Sequence, residues 1–382
     1  MKKSLIALAL IGAFSGTAVA QSNVTLYGIV DVNLMWEELP TQVGTGTSAR
    51  IVQESKTAIN SGGQSGSRWG LRGTEALGGG LSAIFALEAG YNVDSGTSGQ
   101  GGRLFGRQAY AGLSGGLGAV VAGRLATFSS GTGDFDMIGR VDPFATGFGI
   151  AGANSTFISM NATRADNTVA YVSPTFAGFK GGIGYSFNYN GAEVAPSGNN
   201  TTVLFMGANW SAGPFFAAIT YDVVSPADPA PGQLARPDQK HLQIGGTFDI
   251  AMFRLHAAWA SQSDIGALPA PGIGQGSFVT LPAGLTAYDS DAYLLGATWT
   301  VTPAFKVFGS FQSSSADSTV VGTGVNRVNF EPDYKVYAIG ATYNLSRRTN
   351  LYTYYASRDA DGTLKGEQFD AAQLAVGVRH LF

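Results

Sequence analysis

From Val24 to Trp36 apolar and polar side chains alternate, with Val24, Leu26, Val30, Val32 and Leu34 set against Thr25, Tyr27, Asp31 and Asn33. A period of two marks a strand with one apolar and one polar face. The same alternation predicts strands at Ser67–Thr74, Leu81–Val93, Arg103–Leu113, Ala119–Arg124, Asn167–Ser173, Phe179–Asn188 and Val203–Trp210. It continues through Phe215–Val223, His241–Phe248, Phe253–Gln262, Asp291–Val301, Phe305–Gln312, Tyr334–Leu345, Asn350–Arg358 and Ala371–Phe382. Sixteen strands result, joined by connections that alternate short and long. The short ones hold turn residues, such as Gly78-Gly79-Gly80, Ala212-Gly213-Pro214 and Thr302-Pro303. The long ones (Glu38–Ser65, Asn190–Thr201, Ser225–Lys240, Asp264–Asp289, Ser313–Asp333, Asp359–Asp370) are rich in Gly, Pro, Ser and Asp. A soluble sandwich also gives many short strands. It would not keep one set of loops short and the other long down the whole chain.

The longest connection, Leu125–Asp166, carries the acids Asp134, Asp136 and Asp142 among Phe135, Met137, Ile138, Val141 and Phe144. A structureless loop of this length in a compact domain is either functional or disordered. Its mixture suits a segment that packs apolar side chains on a wall while presenting carboxylates to water.

Composition decides the kind of wall. Apolar residues make up 45% and charged ones 13%, with 54 glycines; soluble chains carry about 25% charge. Met1-Lys2-Lys3, the apolar run Leu5–Phe14 and Ala18-Val19-Ala20 before Gln21 form an export leader, residues 1–20. The remainder, residues 21–382, is read as one domain. It has no apolar run long enough for a spanning helix. In hydrocarbon every backbone amide must be paired, so low charge without helical spans points to a closed β-barrel. An even number of strands with short turns on one side and long loops on the other fits such barrels in the outer membrane.

Chemistry is mostly excluded. There is no cysteine, so disulfides, thiolate metal sites and cysteine nucleophiles are absent. The formal net charge is −3, and losing Lys2 and Lys3 makes it −5, a poor match to nucleic acid. His241, His256 and His380 stand on different strands with no acid or serine motif beside them, and no metal-ligand or cofactor spacing is visible. An enzyme is not expected. Tyr27, Trp36, Trp210, Tyr221, Trp259, Trp299, Tyr343 and Tyr352 lie near strand ends and suit interfacial girdles, or ordinary strand packing.

Four segments carry a family resemblance. Asn23-Val24-Thr25-Leu26-Tyr27-Gly28-Ile29-Val30-Asp31 resembles the first mature strand of Gram-negative general porins of the β-proteobacterial type. Ser67–Leu81 resembles their second strand and first turn, Tyr343–Tyr352 a late turn, and Gly377–Phe382 their last strand. The resemblance implies an all-β fold: a sixteen-stranded antiparallel transmembrane barrel, trimeric, with its third outside loop folded inward as a constriction. By order that loop is Leu125–Asp166. The resemblance also implies outer-membrane lipids and lipopolysaccharide as surroundings, small hydrophilic solutes and ions as cargo, and assembly machinery that reads the strand ending at Phe382. A substrate-specific channel, or a scaffold with adhesive outside loops, remains open beside the passive pore.

The candidate site follows from charge on strands. A charged side chain facing lipid at the midplane costs about 2–4 kcal/mol, so strand arginines should line the lumen. Arg68 and Arg72 share one face, Arg103 and Arg107 are spaced to share another, and Arg124 ends the fifth strand. The resemblance carries Arg68, Arg107 and Arg124 over as a basic wall opposite Asp134, Asp136 and Asp142, with Arg140 adding one positive charge. The alternative is that arginines pair with Glu75, Glu88 or Asp31 to stiffen the barrel; for Arg72 beside Glu75 that reading is the better one. Charged rings set selectivity in pores. A weak anion preference is expected, because a rigid wall holds its arginines while a loop can turn its aspartates to other donors.

Overall fold

The chain is described here by a computed structural model, covering residues 23–43, 50–145, 147–152, 164–232, 235–265, 287–317, 319–321, 328–330, 333–360 and 370–382. The leader lies outside the described residues. The strands are β1 (Asn23–Val43), β2 in two pieces (Arg50–Ser61 and Arg68–Gly78), β3 (Leu81–Gly90), β4 (Gln108–Gly115), β5 (Gly118–Ala126) and β6 (Arg164–Val172). Then come β7 (Phe179–Ser186), β8 (Thr202–Ala212), β9 (Phe215–Ser225), β10 (Gln239–Ile250) and β11 (Phe253–Ile265). The last are β12 (Tyr288–Thr300), β13 (Phe305–Ala316), β14 (Tyr334–Asn344), β15 (Thr349–Ala360) and β16 (Ala371–Leu381).

Each strand pairs antiparallel with the next, and β16 returns to β1 from Ile29↔Leu381 to Glu38↔Ala372. Among the described residues the sheet is thus a closed sixteen-stranded barrel, which leaves no edge and lets backbone groups cross hydrocarbon paired.

Side-chain burial is inverted relative to a soluble protein. Leu26, Leu34, Val120, Ile244, Leu295, Ile339 and Val376 are exposed on the outside, while Asp31, Asn33, Gln243 and Gln312 are buried inside. Ring pairs Phe179–Trp210, Phe215–Phe248, Phe253–Trp299 and Phe305–Tyr343 form an outward row beside the short turns of β7 to β14. Tyr27 and Tyr352, read from sequence as girdle candidates, instead point inward, to Glu88 and Asp31 respectively. On β16 and β1 the outward positions include Leu374, Val376, Val378, Val24 and Leu26, with Trp36 of β1 and Trp69 of β2 on the same face.

Two expectations are corrected. Glu38–Ser65 was expected to be a loop, but β1 runs on to Val43 and pairs with Arg50–Ser61. Above the hydrocarbon band neither face needs to be apolar, so the alternation that marks strands disappears there. The fourth strand begins at Gln108 rather than Arg103; Gly101 and Gly102, at φ of 72° and 81°, turn the chain before it. Arg103 and Arg107 therefore do not share a strand face.

Strand β2 is broken at Gly62–Ser67. Asp31 of β1, opposite the break, accepts from Gln64 N–H (3.0 Å), Ser65 N–H (2.6 Å) and the Tyr352 hydroxyl (2.6 Å). The amides that leave the ladder thus find a carboxylate instead of water.

Candidate pore constriction

After Ala126 the chain turns into the barrel. Phe128 packs edge-on to Phe205 of β8 at 4.9 Å, and Met137 O accepts from Asn209 Nδ2 at 3.4 Å. Ile138 and Val141 join Phe216, Ala218, Ala258, Ala260, Ala292 and Leu294 of β9 to β12 in one buried cluster. Val141 O lies 3.2 Å from His256 Nδ1. Phe144 and Phe148 pack on Phe308 of β13, and Phe148 on Tyr352 and Tyr354 of β15. Farther on, Ile150 N–H donates to Gln373 of β16 (3.0 Å), and Phe148 N–H to Gly63 O in the β2 break (2.6 Å). The loop therefore runs around the inside of the wall from β5 to β16.

Glycines make room for it. A Cβ on Gly182 would lie 2.7 Å from the Phe128 ring, on Gly207 2.9 Å from Met137 Sδ, on Gly245 2.9 Å from Val141 Cγ1, and on Gly296 2.7 Å from Pro143 Cγ. These positions on β7, β8, β10 and β12 form a channel into which loop side chains sink. Bare backbone brings the loop close enough for dispersion contact along its length.

The loop leaves the face of β1 to β4 to the lumen. Glu88 on β3 is its centre: it accepts from Arg107 Nε (2.7 Å) and the Tyr27 hydroxyl (3.1 Å), with Arg68 Nη1 at 3.9 Å. Arg68 Nε also donates to Gly66 O, and Arg107 Nη2 to Thr132 Oγ1 of the loop (3.4 Å). The Arg72 guanidinium lies 4.0 Å over the Tyr27 ring and is exposed. Expected to pair with Glu75, it instead faces the lumen.

Arg124 is placed elsewhere. A register shift after Gly123 (φ 140°) re-aims it. It pairs with Asp166 at 2.5 Å, alongside Arg103 at 2.8 Å, and donates to Gly106 O. Arg140 crosses to the far wall, 3.6 Å from Asp249 and 4.9 Å over Phe216.

The three loop acids divide. Asp134 is exposed and accepts from Tyr110 (2.7 Å), with its own amide on Gln108. Asp136 accepts from Ile138 and Gly139 N–H, and burial pushes its carboxyl up to about 6 against the pull of those amides. Asp142 is buried and accepts from Phe144 N–H (2.9 Å). Two of the three thus build the loop's own turns. Among the described residues no ion pair joins Arg68, Arg107 or Arg124 to Asp134, Asp136 or Asp142.

Sequence reasoning held Glu88 only as an alternative partner for the arginines, and passed over Arg72 as an exposed arginine and the glycine channel. A lone acid on the polar face of β3 was the available signal for the first. Glycine at inward strand positions was the signal for the last.

The sequence profile described as Gram-negative porin matches residues 7–363. An outer membrane porin protein of Bordetella pertussis is 35% identical over 419 residues, covering 100% of both chains. Among solved structures, an anion-selective porin from Comamonas acidovorans superposes with a TM-score of 0.69 at 24% identity, over 95% of this chain and 100% of that one. The trimer form of an outer membrane protein of Vibrio cholerae superposes at 0.63 with 14% identity, over 94% and 99%.

Proposed function

This chain belongs to the Gram-negative porin family and forms a channel in the outer membrane; we propose that it passes small hydrophilic solutes passively, with a weak preference for anions. One observation carries the reading. The loop after β5 lies inside the barrel, pressed to the wall of β7 to β16, with Asp134 of the loop and Arg72 of the facing wall both exposed to the lumen. A scaffold displaying outside loops has no use for that arrangement.

The mechanism follows from which charges are committed. Glu88 offsets one of Arg68 and Arg107, and Arg72 has an aromatic face rather than an acid beside it. Asp136 and Asp142 are spent on backbone amides, leaving Asp134 as the loop acid facing water. The constriction proposed from Arg68, Arg107, Asp134 and Arg72 is therefore net positive. Arg124, Arg140, Asp136 and Asp142 act around it, as second rank or as support. Solutes cross hydrated, filtered by the gap between loop and wall and by the sign of this patch.

Three copies are proposed to associate through the apolar outward face of β16 and β1, which carries Leu374, Val376, Val378, Val24 and Leu26. Lipid and lipopolysaccharide would cover the aromatic-bordered remainder. The test is planar-bilayer recording with the purified trimer. Discrete steps whose reversal potential in a salt gradient lies on the anion side are expected. A folded trimer without conductance would overturn the channel mechanism, and a cation-side potential would overturn the charge assignment.

A further inference from the structure

Arg140 sits where the loop dips toward the short turns. Its guanidinium lies over Phe216, two residues past the Gly213-Pro214 turn, and beside Asp249, two residues before the Ala251-Met252 turn. Glu88 stands about six residues farther from its own turn than Arg254 does, roughly 15 Å along a tilted strand. Arg140 therefore belongs to a different level of the lumen from the Glu88 group.

Charge at this lower level is unbalanced. Arg254 clamps Asp249 with two hydrogen bonds, Nε to Oδ1 at 2.5 Å and Nη2 to Oδ2 at 2.9 Å. That pair is complete without Arg140, which reaches Asp249 only at 3.6 Å. All three side chains are open to the lumen, at 37%, 38% and 38% exposure. Lys180 and Lys306 share the inward face of their strands with Gly182 and Phe308, near the same end. Asp249 is the one acid on inward positions there among the described residues of β7 to β13. Arg140 is also held in place, since Val141 beside it is buried against Gly245 and Ala258 and bonded through its carbonyl to His256.

We propose that Arg140 and Arg254, on either side of Asp249, form a second anion site below the constriction, which takes small oxyanions of the carboxylate or phosphate class. A guanidinium offers parallel N–H donors that match both groups, and Arg140 still has an edge to give. The Phe216 face keeps that edge oriented toward the lumen. An anion leaving the upper patch meets this one before the periplasmic mouth, so transit becomes two short steps in place of one. The inference rests on the reading of the chain as a pore.

The experiment is single-channel chloride conductance of the purified trimer, titrated with inorganic phosphate in one arm and succinate in the other. Both should depress the chloride current in a saturating manner. Arg140→Gln should weaken the effect about threefold, the scale of a half-exposed ion pair. Asp249→Asn, which releases Arg254, should strengthen it. Opposite signs at one locus cannot come from a general loss of folding. If one probe acts and the other does not, the site is assigned to that probe's class. If both variants respond as the parent does, or both weaken alike, the second site is overturned. Absence of any conductance in the parent would instead remove the pore reading itself, and this inference with it.

Discussion

Replacing Arg72 by glutamine removes a charge without disturbing a buried pair. The guanidinium rests over Tyr27, is exposed, and has no ion pair among the described residues. An ion passing at ~7 Å through a water-filled gap feels about 0.6 kcal/mol from one such charge. That energy changes the local concentration of each ion about 2.7-fold, in opposite directions for anion and cation, so the permeability ratio should fall about sevenfold. In a salt gradient the reversal potential then moves toward the cation side by tens of millivolts. Recordings belong at low ionic strength, because at ~0.1 M salt the screening length is only about 10 Å. Arg124→Gln supplies the contrast: its side chain is 16% exposed and sits against Asp166, so a smaller shift is expected. If Arg72→Gln folds normally and keeps the parent potential, or Arg124→Gln moves it more, ions do not travel along the Tyr27–Arg72 face.

Gly245→Leu places a side chain where Val141 Cγ1 would be 2.9 Å from its first carbon, and should dislodge the loop at a cost of about 1–3 kcal/mol; larger and more scattered conductance steps from a heat-modifiable trimer are the expected sign, and a single parental step would refute it. Asp136 has a folded-state value near 6 against 3.8 unfolded, so the native chain binds more protons between these limits and stability should decline as pH rises through that window. Asp136→Asn should flatten that slope in thermal melts; an unchanged slope assigns it to another group. Deleting Phe382 removes the reciprocal bonds Gly28 N–H to Phe382 O and Phe382 N–H to Gly28 O, each 3.1 Å, at the seam of first and last strands. Less folded trimer in the outer membrane is expected, and parental levels would show that the terminal residue is dispensable.

Much of this architecture could be read from the alternation of side chains, because a barrel wall has lipid on one side and polar contents on the other. The reading failed where that contrast ends. Glu38–Ser65 carries no period of two, and its strands show only in the pairing of Glu38–Val43 with Arg50–Ser55. Arg124 was carried to the basic wall by the resemblance and by its charge, and beside a register shift after Gly123 it is set against Asp166. The pairing of Arg68 and Arg107 with Glu88 was open as an alternative, since three charges near one level of a wall will seek each other. Which aspartates would fold onto their own backbone could not be read, because an Asx turn and a lumen-facing carboxylate share the same short sequence. The glycine channel is a relation among strands far apart in sequence, and it becomes visible only when register sets those glycines side by side.

The course of the inner loop also dates it in the history of each molecule. Its partners include Gln373 on the last strand and Gly63 in the second, which lie on either side of the join between the chain's two ends. They become neighbours only when that join is made, so the stretch from Phe148 to Ile150 can make both contacts only once the wall has closed.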